Sequence, residues 1–260
     1  MGNDARIVSI ANQKGGVGKT TTAINLGAAL AEKGNKTLLI DLDPQGNAST
    51  GVAIQNEERV RTSYDLLVEG MALEAVALKT GIENLSVVPS NTDLSSADAE
   101  IMMERDKLLK LKSAIDGQTS YDFIFIDCPP SLNLLTLNAF AASDSVLVPL
   151  QSEFFALEGL SQLLLTVKEV REAMGSNLRV DGIVLTMFDR RNKLSQQVEL
   201  DVRDNLGDLV YDAIIPRSVR MSEAPSFGES VFQYAPTSSG ATAYLALANE
   251  FLKNHKKRMS

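Results

Sequence analysis

The sequence predicts an α/β fold in which a mostly parallel, twisted sheet carries helices on both faces. Short β-branched and apolar segments alternate with segments of helical periodicity along the 260 residues. Several of the short segments are apolar at nearly every position, which is typical of strands buried on both faces. Because alternating strands and helices need crossover connections, the strands are expected to run parallel.

Seven apolar segments are predicted as strands, with helical segments between them. The predicted strands cover residues 6–11, 36–41, 85–89, 123–127, 145–150, 182–187 and 210–215. Helices are predicted directly after a glycine-rich stretch that ends at residue 18, and over residues 158–174 and 241–253. Ligands of such sheets bind beyond the carboxyl ends of the strands, so functional residues are expected at that edge.

Composition and charge restrict the class of protein. The apolar fraction is 44% and the formal net charge is -8, which argues against a protein coated with DNA-binding charge. No apolar run reaches the roughly 18 residues of a membrane span, and the polar, acidic start lacks the features of a secretory signal. The one cysteine, Cys128, excludes an intrachain disulfide and a C-x-x-C site, and it is expected to be a small, semi-buried side chain. A cytoplasmic protein is predicted.

The stretch NQKGGVGKTT, residues 12–21, has the composition and context of a phosphate-binding loop. The backbone N–H groups of its glycines and the N-terminus of the following helix can surround phosphate oxygens. Lys19 is predicted to contact the β- and γ-phosphates, and the Thr20 hydroxyl is predicted to ligate Mg²⁺. The predicted cofactors are ATP and Mg²⁺. The predicted nucleotide-binding set in this stretch is Lys14, Gly15, Gly16, Val17, Gly18, Lys19, Thr20 and Thr21.

The loop departs from the usual G-x-x-x-x-G-K-[ST] pattern, since Gln13 stands where the first glycine is expected and Lys14 follows it. In this deviant form of the Walker A motif the stretch resembles the ParA/MinD superfamily of P-loop NTPases, which includes ParA/Soj, MinD and the nitrogenase iron protein. The resemblance implies that Lys14 crosses a dimer interface and contacts the phosphates bound by the other subunit. Nucleotide state would then set oligomeric state. The iron–sulfur members need two cysteines per subunit, which excludes that branch.

Three aspartates end two of the apolar segments, in LLIDLDPQGNAST and DFIFIDCPPSL. Asp127 has the position of a carboxylate that holds Mg²⁺ through its water shell. Resemblance to ParA-like proteins implies that Asp43 positions the attacking water, while Asp41 supports the metal site. Asp41 and Asp43 are spaced to point to one side of a strand that Pro44 terminates. The predicted catalytic residues are Lys14, Lys19 and Asp43, and the predicted metal-binding residues are Thr20, Asp43 and Asp127.

The resemblance to ParA/Soj covers nearly the whole chain, including DLDPQGNAST, IDCPPSL, LTMFDRRNKLS and IIPRSVRMSEAPSFG. The last of these stretches implies that Pro216, Arg217 and Ser218 lie over the adenine of the nucleotide. The first predicted strand begins as early as Arg6. A single ParA-type ATPase domain over residues 1–260 is therefore expected, without the N-terminal helix-turn-helix domain of longer plasmid ParA proteins.

Two arginines match the family's DNA-contact positions, Arg191 in FDRRNKLS and Arg220 in SVRMSEAP. The resemblance implies that an ATP-dependent homodimer binds nonspecific double-stranded DNA. Phosphate contacts would make the affinity salt-sensitive, and two copies per dimer would raise it. Arg190, Lys193 and Arg203 are candidate members of the same patch, although residues 180–230 carry more acidic than basic side chains.

The function favoured by the sequence is a DNA-segregation switch, a Mg²⁺-dependent ATPase with weak intrinsic activity. The small set of charged residues suits phosphoryl transfer, which depends on placement and charge neutralisation. The ATP-bound sandwich dimer would coat the nucleoid, and a ParB-like partner would stimulate hydrolysis and release it. No stable membrane association is expected, and the localisation is predicted as cytoplasmic and nucleoid-associated. The cargo stays open between chromosome, plasmid and protein cluster.

Two other classes of function stay open. A MinD-like membrane-surface positioning ATPase needs an amphipathic C-terminal helix, and the tail NEFLKNHKKRMS offers only Phe251, Leu252 and Met259 as apolar anchors. Phe251 and Leu252 fit better as the inner end of the last helix, and His255 is predicted to be solvated. A biosynthetic enzyme such as a carboxylation-type synthetase needs a small-substrate pocket, and no residue set in the sequence demands one.

Overall fold

The computed structural model describes residues 5–153 and 156–259, without the side chains of residues 156, 158, 258 and 259. Over the described residues the strands form one sheet with the order β3-β4-β2-β5-β1-β6-β7-β8. The strands are β1 (Arg6–Ile10), β2 (Thr37–Asp41), β3 (Leu78–Lys79), β4 (Leu85–Val88), β5 (Phe123–Asp127), β6 (Ser145–Gln151), β7 (Arg179–Phe188) and β8 (Val210–Pro216).

Helices connect these strands and cover both faces of the sheet. In the first half of the chain they are α1 (Lys19–Glu32), α2 (Asn47–Gly51), α3 (Ser63–Leu67), α4 (Leu73–Val76), α5 (Leu94–Ile101) and α6 (Lys110–Ile115). In the second half they are α7 (Leu134–Ala142), α8 (Ala156–Met174), α9 (Lys193–Leu206), α10 (Val219–Glu223), α11 (Val231–Tyr234) and α12 (Ser239–Met259). Short 3-10 turns cover Asn56–Glu58, Gly207–Leu209 and Ala224–Phe227.

The predicted fold class is confirmed, because every pairing in the sheet is parallel except that of β3 with β4. All seven predicted strands are present, with ends that differ by up to three residues. Strand β3 was not predicted, since a two-residue edge strand leaves no periodic signal. Strand β2 ends at Asp41 rather than running on towards Pro44, so Asp43 lies in the turn that follows.

Each face of the sheet has its own apolar core. The strands β1, β2, β4 and β5 are buried at most positions, so their side chains enter both cores. Helices α3 to α9 pack against one face, and α1, α2, α11 and α12 pack against the other. Strand β1 pairs with β5 on one side and β6 on the other, and the helices that follow β1 and β5 leave to opposite faces. This divergence opens a crevice at the carboxyl ends of β1 and β5.

The C-terminal helix corrects the prediction made for the tail. Helix α12 extends to Met259, well past the predicted end at residue 253. Phe251 is buried, as predicted for the inner end of the helix, and Leu252 is half-buried. His255 is also half-buried rather than solvated: its ring packs edge-on against Phe123, and its Nδ1 lies 2.7 Å from an Nη atom of Arg6. The prediction of a solvated His255 was wrong because the helix continues across the amino-terminal end of β1 and β5.

Candidate nucleotide-binding site

The glycine-rich loop lies between the end of β1 and the start of α1. Gly16 and Gly18 have φ values of 73° and 88°, in the left-handed region that favours glycine. A Cβ built on Gly15 or Gly16 would meet no heavy atom within 4 Å, so these two glycines border open space. Asn12 holds the base of the loop, because its Nδ2 donates to the Pro149 carbonyl at 2.7 Å and its Oδ1 accepts from the backbone N–H of Lys14 at 3.0 Å. The loop is therefore an open cradle that Asn12 anchors at its base.

Lys19 is the first residue of α1 and is buried beside the loop. Its Nζ donates to the backbone carbonyl of Lys14 at 3.0 Å, which closes the loop on itself. Burial lowers the pKa of the Lys19 ammonium, while the nearby Asp127, Cys128 and Asp43 raise it. The Lys19 ammonium is therefore a largely buried cation next to the open loop.

Asp127 ends β5 and is fully buried. Within the described residues neither of its carboxylate oxygens has a hydrogen-bond partner. Burial is the main cause that raises the pKa of Asp127, and Asp41 beside it raises the pKa further, whereas the nearby Thr20 hydroxyl and Lys19 lower it. A buried carboxylate without a partner is costly unless a cation compensates it. Its surroundings therefore fit a ligand-borne cation such as Mg²⁺.

The described residues contain no group of three or more His, Cys, Asp or Glu side chains that could hold a metal ion by itself. Mg²⁺ is commonly bound through one or two carboxylates, a hydroxyl and substrate phosphates, and it keeps several waters. Thr20, at the start of α1, and Asp127 are the groups that this arrangement supplies.

The neighbouring strand β2 carries the other two aspartates. Asp41 is fully buried beside Asp127 in the sheet register. One of its oxygens accepts from the backbone N–H of Asp43 at 3.2 Å, and the other accepts from the backbone N–H and hydroxyl of Ser49 at 2.8 and 2.7 Å. Burial raises the pKa of Asp41 to about 6, against the lowering effect of the Ser49 hydrogen bonds. Asp41 is thus committed to holding the turn, and Asp43 is the partly exposed carboxylate of the pair.

Lys14 lies on the outer side of the loop, where its side chain is 47% exposed. Its ammonium forms an ion pair with Glu153, in the segment after β6. Gln151, the last residue of β6, also donates to Glu153. The front lysine of the loop therefore has an exposed acidic partner within its own chain.

A cavity of about 400 Å³ opens beside the loop at the carboxyl ends of β7 and β8. The three residues predicted to cover the adenine line it, together with Gly18 and Thr21 of the loop. The fold therefore brings Pro216, Arg217 and Ser218 next to the start of α1, although about 200 residues separate them in sequence.

Sequence reasoning missed several other residues of this cavity. Thr186 lines it and donates from its hydroxyl to the Val17 carbonyl at 2.8 Å, so β7 is tied to the loop. Met187 follows with a φ of 51°, a left-handed conformation that a side-chain-bearing residue rarely adopts. Tyr244 of α12 closes the cavity and lies 3.1 Å from the Thr22 hydroxyl. The only available signal was the position of Thr186 and Met187 at the end of a buried strand.

The two predicted DNA-contact arginines lie on the surface, each beside an acid. Arg191 is 91% exposed and forms a two-pronged pair with Asp189, with both N···O distances at 3.1 Å. This pairing lowers the pKa of Asp189. Arg220 is 63% exposed and donates to Glu223 at 3.1 Å. Each cation is therefore partly neutralised within the described structure.

A groove of about 960 Å³ gathers part of the predicted basic patch. Arg190, Arg191 and Arg217 line it, next to the wall of the smaller cavity. Lys193 begins α9 and is exposed, whereas Arg203 near the end of the same helix is already engaged with Glu199 at 3.0 Å. Arg203 lies about 15 Å along the helix from Lys193, and its membership of the patch stays a prediction.

The burial of Cys128 and the composition of the helices were also predicted from the sequence. Cys128 is fully buried, more than the semi-buried state predicted, and burial raises the pKa of its thiol. None of the helices in the described part of the chain is both long enough and apolar enough to cross a membrane.

The chain has clear relatives among known proteins. A family described as an AAA domain matches residues 5–180. The chain is 51% identical to the chromosome partitioning protein ParA of Caulobacter vibrioides, over 99% of this chain and 98% of that protein. It is 47% identical to the sporulation initiation inhibitor protein Soj of Bacillus subtilis, over 96% of this chain and 99% of that protein.

Among solved structures, cobyrinic acid a,c-diamide synthase from Mycobacterium smegmatis with bound ATP analog and magnesium is 36% identical, with 97% of this chain and 96% of that chain covered and a TM-score of 0.83. The ligands of that structure are the two predicted for this chain. The identity to ParA and Soj is higher and extends over the full length of both proteins. The chain belongs to the AAA-domain family and, within it, to the ParA/Soj group of chromosome-partitioning ATPases in the ParA/MinD superfamily.

Proposed function

We propose that this chain is an ATP-driven DNA-segregation switch, in which ATP binding forms a dimer that holds nonspecific DNA and hydrolysis releases it. The proposal is carried by one glycine-rich loop, which brings the buried Lys19 near the buried Asp127 and leaves its second lysine, Lys14, exposed. The Nζ of Lys19 donates to the Lys14 carbonyl within the loop, the ammonium of Lys14 pairs with Glu153, and the Asp127 carboxylate has no hydrogen-bond partner among the described residues. The 51% identity to a chromosome partitioning protein supports the same function.

Nucleotide binding follows from the crevice. The phosphates fit the cradle between Gly15 and Gly18, where the backbone N–H groups and the N-terminus of the 14-residue α1 favour negative charge. Lys19 would exchange its bond to the Lys14 carbonyl for the phosphates. Thr20 and Asp127 would hold Mg²⁺, which when bound neutralises phosphate charge during hydrolysis. The adenine fits the cavity that Pro216, Arg217 and Ser218 line.

Hydrolysis requires a group that orients water towards the γ-phosphate. Asp43 is the candidate, because its carboxylate is partly exposed while the oxygens of Asp41 are already engaged. Phosphoryl transfer depends on positioning and on stabilisation of the transition-state charge, and Asp43 would supply only the positioning of the water. The basal rate should therefore be slow, and an external partner that completes the site can raise it. A ParB-like activator is proposed for that role.

Lys14 supplies the link between nucleotide and oligomeric state. In the monomer its ammonium is satisfied by Glu153, and both side chains are nearly half exposed. An exposed ion pair of this kind contributes little to stability, typically below about 1 kcal/mol. Exchange of Glu153 for a phosphate bound by a second subunit therefore costs little and gives a charge-assisted contact across the interface. A homodimer that is stable only with ATP follows.

DNA binding is assigned to the exposed Arg191 and Arg220, with Arg190 and Arg217 beside Arg191 along the larger groove. The pairs with Asp189 and Glu223 weaken each single contact, so one chain alone binds poorly. Dimerisation doubles the contacts and raises the affinity steeply. ATP-dependent association with the nucleoid is the expected consequence.

The test is binding to nonspecific duplex DNA in the presence of ATP, ADP or no nucleotide, with the double variant Arg191→Glu/Arg220→Glu. Binding only with ATP, weakened by salt and lost in the variant, is expected. Arg105→Glu, an exposed charge reversal between α5 and α6, is the matched control and should keep binding. Equal binding in all nucleotide states, or binding by the double variant as by the wild type, would contradict the proposal.

A MinD-like membrane function has less support. Phe251 of the tail belongs to the apolar core between α12 and the sheet, Leu252 packs against that core, and His255 packs on Phe123. These contacts leave little apolar surface for a bilayer among the described side chains of the tail. Sedimentation with vesicles of anionic lipid tests this reading, and ATP-dependent pelleting would favour it over DNA.

A further inference from the structure

We infer that Arg59 is a positioning residue for ATP hydrolysis, which holds the turn that carries Asp43. This inference rests on the proposed role of Asp43. Arg59 directly follows the 3-10 turn Asn56–Glu58 and is 7% exposed, whereas the next residue, Val60, is 82% exposed. One residue of a surface segment therefore turns its side chain inward, and that residue carries a charge.

The guanidinium of Arg59 is held by neutral oxygens. Its Nε and Nη2 donate to the Ile54 carbonyl at 3.1 and 2.7 Å, its Nη1 donates to the Ser90 carbonyl at 3.1 Å, and its Nη2 also donates to the Thr50 hydroxyl at 2.7 Å. No carboxylate of the described residues lies within 4.0 Å of it. Burial lowers the pKa of Arg59, while Asp41 and Glu57 raise it from a distance without forming an ion pair, so the buried cation is a poor source of stability by itself. The arrangement is better explained by geometry, because a guanidinium can bridge several acceptors in fixed directions.

Two series of hydrogen bonds lead from Arg59 to the turn that carries Asp43. In the first, the Thr50 hydroxyl donates to the Gly46 carbonyl at 3.0 Å, and the Gly46 N–H donates to the Asp43 carbonyl at 2.9 Å. Gly46 itself rests on the guanidinium, since a Cβ at this position would lie 2.3 Å from Nη1 of Arg59. The turn and the arginine are therefore in direct contact.

The second series passes through the end of β4. Arg59 holds the carbonyl of Ser90, and the backbone N–H of Ser90 donates to the Ser49 hydroxyl at 2.9 Å. The same hydroxyl donates to Asp41, whose other oxygen accepts from the N–H of Asp43. Both series end at Asp43, one at its carbonyl and the other at its N–H. Arg59 thus fixes the backbone on both sides of the candidate catalytic carboxylate without contacting the nucleotide cradle.

A residue that positions Asp43 affects the reaction step and leaves nucleotide binding largely intact. Arg59→Met keeps the apolar stem and removes all four hydrogen bonds. A misplacement of about 1 Å in a catalytic group costs on the order of 100-fold in rate, so kcat is expected to fall about 10- to 100-fold. The Kd for Mg²⁺·ATP should change less than about threefold, because Lys19, Thr20 and the glycine loop are untouched.

Further variants distinguish positioning from simple structural support. Thr50→Val, at an exposed position, removes the hydroxyl that accepts from Arg59 and donates to the Gly46 carbonyl but leaves the other bonds of Arg59, so it should lower kcat in the same direction but less. Arg59→Lys keeps the charge but cannot bridge three acceptors, so it should rescue kcat only in part. Arg61→Met, in which an exposed arginine two residues away is changed, is the matched control and should leave kcat unchanged.

The experiment measures single-turnover hydrolysis and ATP affinity of these full-length variants, together with Asp43→Asn. Low kcat with preserved ATP affinity in Arg59→Met and Thr50→Val, and an inactive Asp43→Asn, supports the inference. If Arg59→Met does not fold, Arg59→Lys and Thr50→Val decide the question alone. Wild-type kcat in these variants beside an inactive Asp43→Asn would overturn the role of Arg59 only, as would a matched loss of kcat and affinity. Wild-type kcat in Asp43→Asn would overturn the proposed role of Asp43 and this inference with it.

Discussion

The two ends of the same sheet bury charged residues in opposite ways. At the amino-terminal end of the strands, the carboxylate of Asp181 accepts from Arg6, from the Ser145 hydroxyl at 3.4 Å and from the Tyr211 hydroxyl at 2.6 Å. At the carboxyl-terminal end, Asp127 is buried as completely but has no hydrogen-bond partner among the described residues.

The difference separates a structural cluster from a ligand site. Both carboxylates lie on buried strands, so exposure does not distinguish them. A buried charge that the protein compensates internally contributes to a single folded state, whereas one that is left uncompensated reduces stability until a ligand arrives. The orphaned carboxylate therefore marks the functional end of this sheet, and the satisfied one marks the end that fixes α12.

The largest expected effect is at the satisfied end. Asp181→Ala removes the carboxylate and leaves the guanidinium of Arg6 buried, which should cost about 3–5 kcal/mol. For a chain of this size the midpoint of thermal unfolding should fall by roughly 6–20 °C. The folded fraction should still bind ATP normally. The exposed Asp208→Ala is the control, and an equally small shift for both variants would break the comparison.

The next effect is at the ligand end. Lys19→Ala removes a charge-assisted contact to phosphate, which should weaken ATP binding by about one to two orders of magnitude. The ligand-free protein should unfold at nearly the wild-type temperature, because among the described residues the Lys19 ammonium has one hydrogen bond, to the Lys14 carbonyl, and the cost of its burial outweighs the attraction of Asp127. Calorimetric titration with Mg²⁺·ATP measures the affinity. Tight binding by this variant would remove Lys19 from the site.

A smaller effect of opposite sign is expected at Asp127. Burial raises its pKa, so ionisation at neutral pH costs folding free energy, and Asp127→Asn removes that cost. The ligand-free variant should be more stable than the wild type by on the order of 1 kcal/mol, while stabilisation by Mg²⁺·ATP should be lost. Thermal unfolding with and without Mg²⁺·ATP gives both values. A destabilised ligand-free variant would show that Asp127 is satisfied after all.

The smallest effect concerns pH and His255. Burial and Arg6 lower the pKa of this histidine, while Asp181 raises it, Arg179 lowers it and Asp144 raises it. The pKa of His255 is lower in the folded protein than in the unfolded chain, where it is near 6.5. The stabilisation that neutral His255 gives the folded state is therefore fully present above that pH and is lost as the pH falls through the folded-state pKa. Between pH 7 and pH 5 the wild type should lose more free energy of unfolding than His255→Gln. With solvent screening allowed for, the difference should be about a few tenths of a kcal/mol. Chemical denaturation at both values measures this, and identical pH slopes would refute the contact with Arg6.

Much of the fold and of the loop was predictable because its signals are local. Apolar strands, the glycines and Lys19 occur within short windows, and Pro216 to Ser218, predicted from a stretch that resembles ParA/Soj, line the cavity beside the loop. The side-chain partners of the charged residues were not predictable, since each pair joins segments that are distant in sequence. Glu153 with Lys14, Asp181 with Arg6, and Arg59 with Ser90 depend on the strand order, which sequence periodicity does not reveal.

The end of α12 shows the same limit. Cations dominate the tail, so a solvated His255 was the natural expectation from sequence. The structure instead turns that face of the helix towards Phe123 and Arg6. A helix face cannot be assigned from a tail whose few apolar residues lie next to each other.

If ATP joins two copies of the chain and Lys14 completes the partner's site, the molar mass of Asp43→Asn in solution with Mg²⁺·ATP should depend on that lysine. Light scattering measures this mass beside that of Asp43→Asn/Lys14→Ala. We expect two subunits for the first protein and one subunit for the second, with ATP bound to both. Two subunits in the presence of both substitutions, or one subunit in the Lys14-containing protein, would refute the role of Lys14 across the dimer.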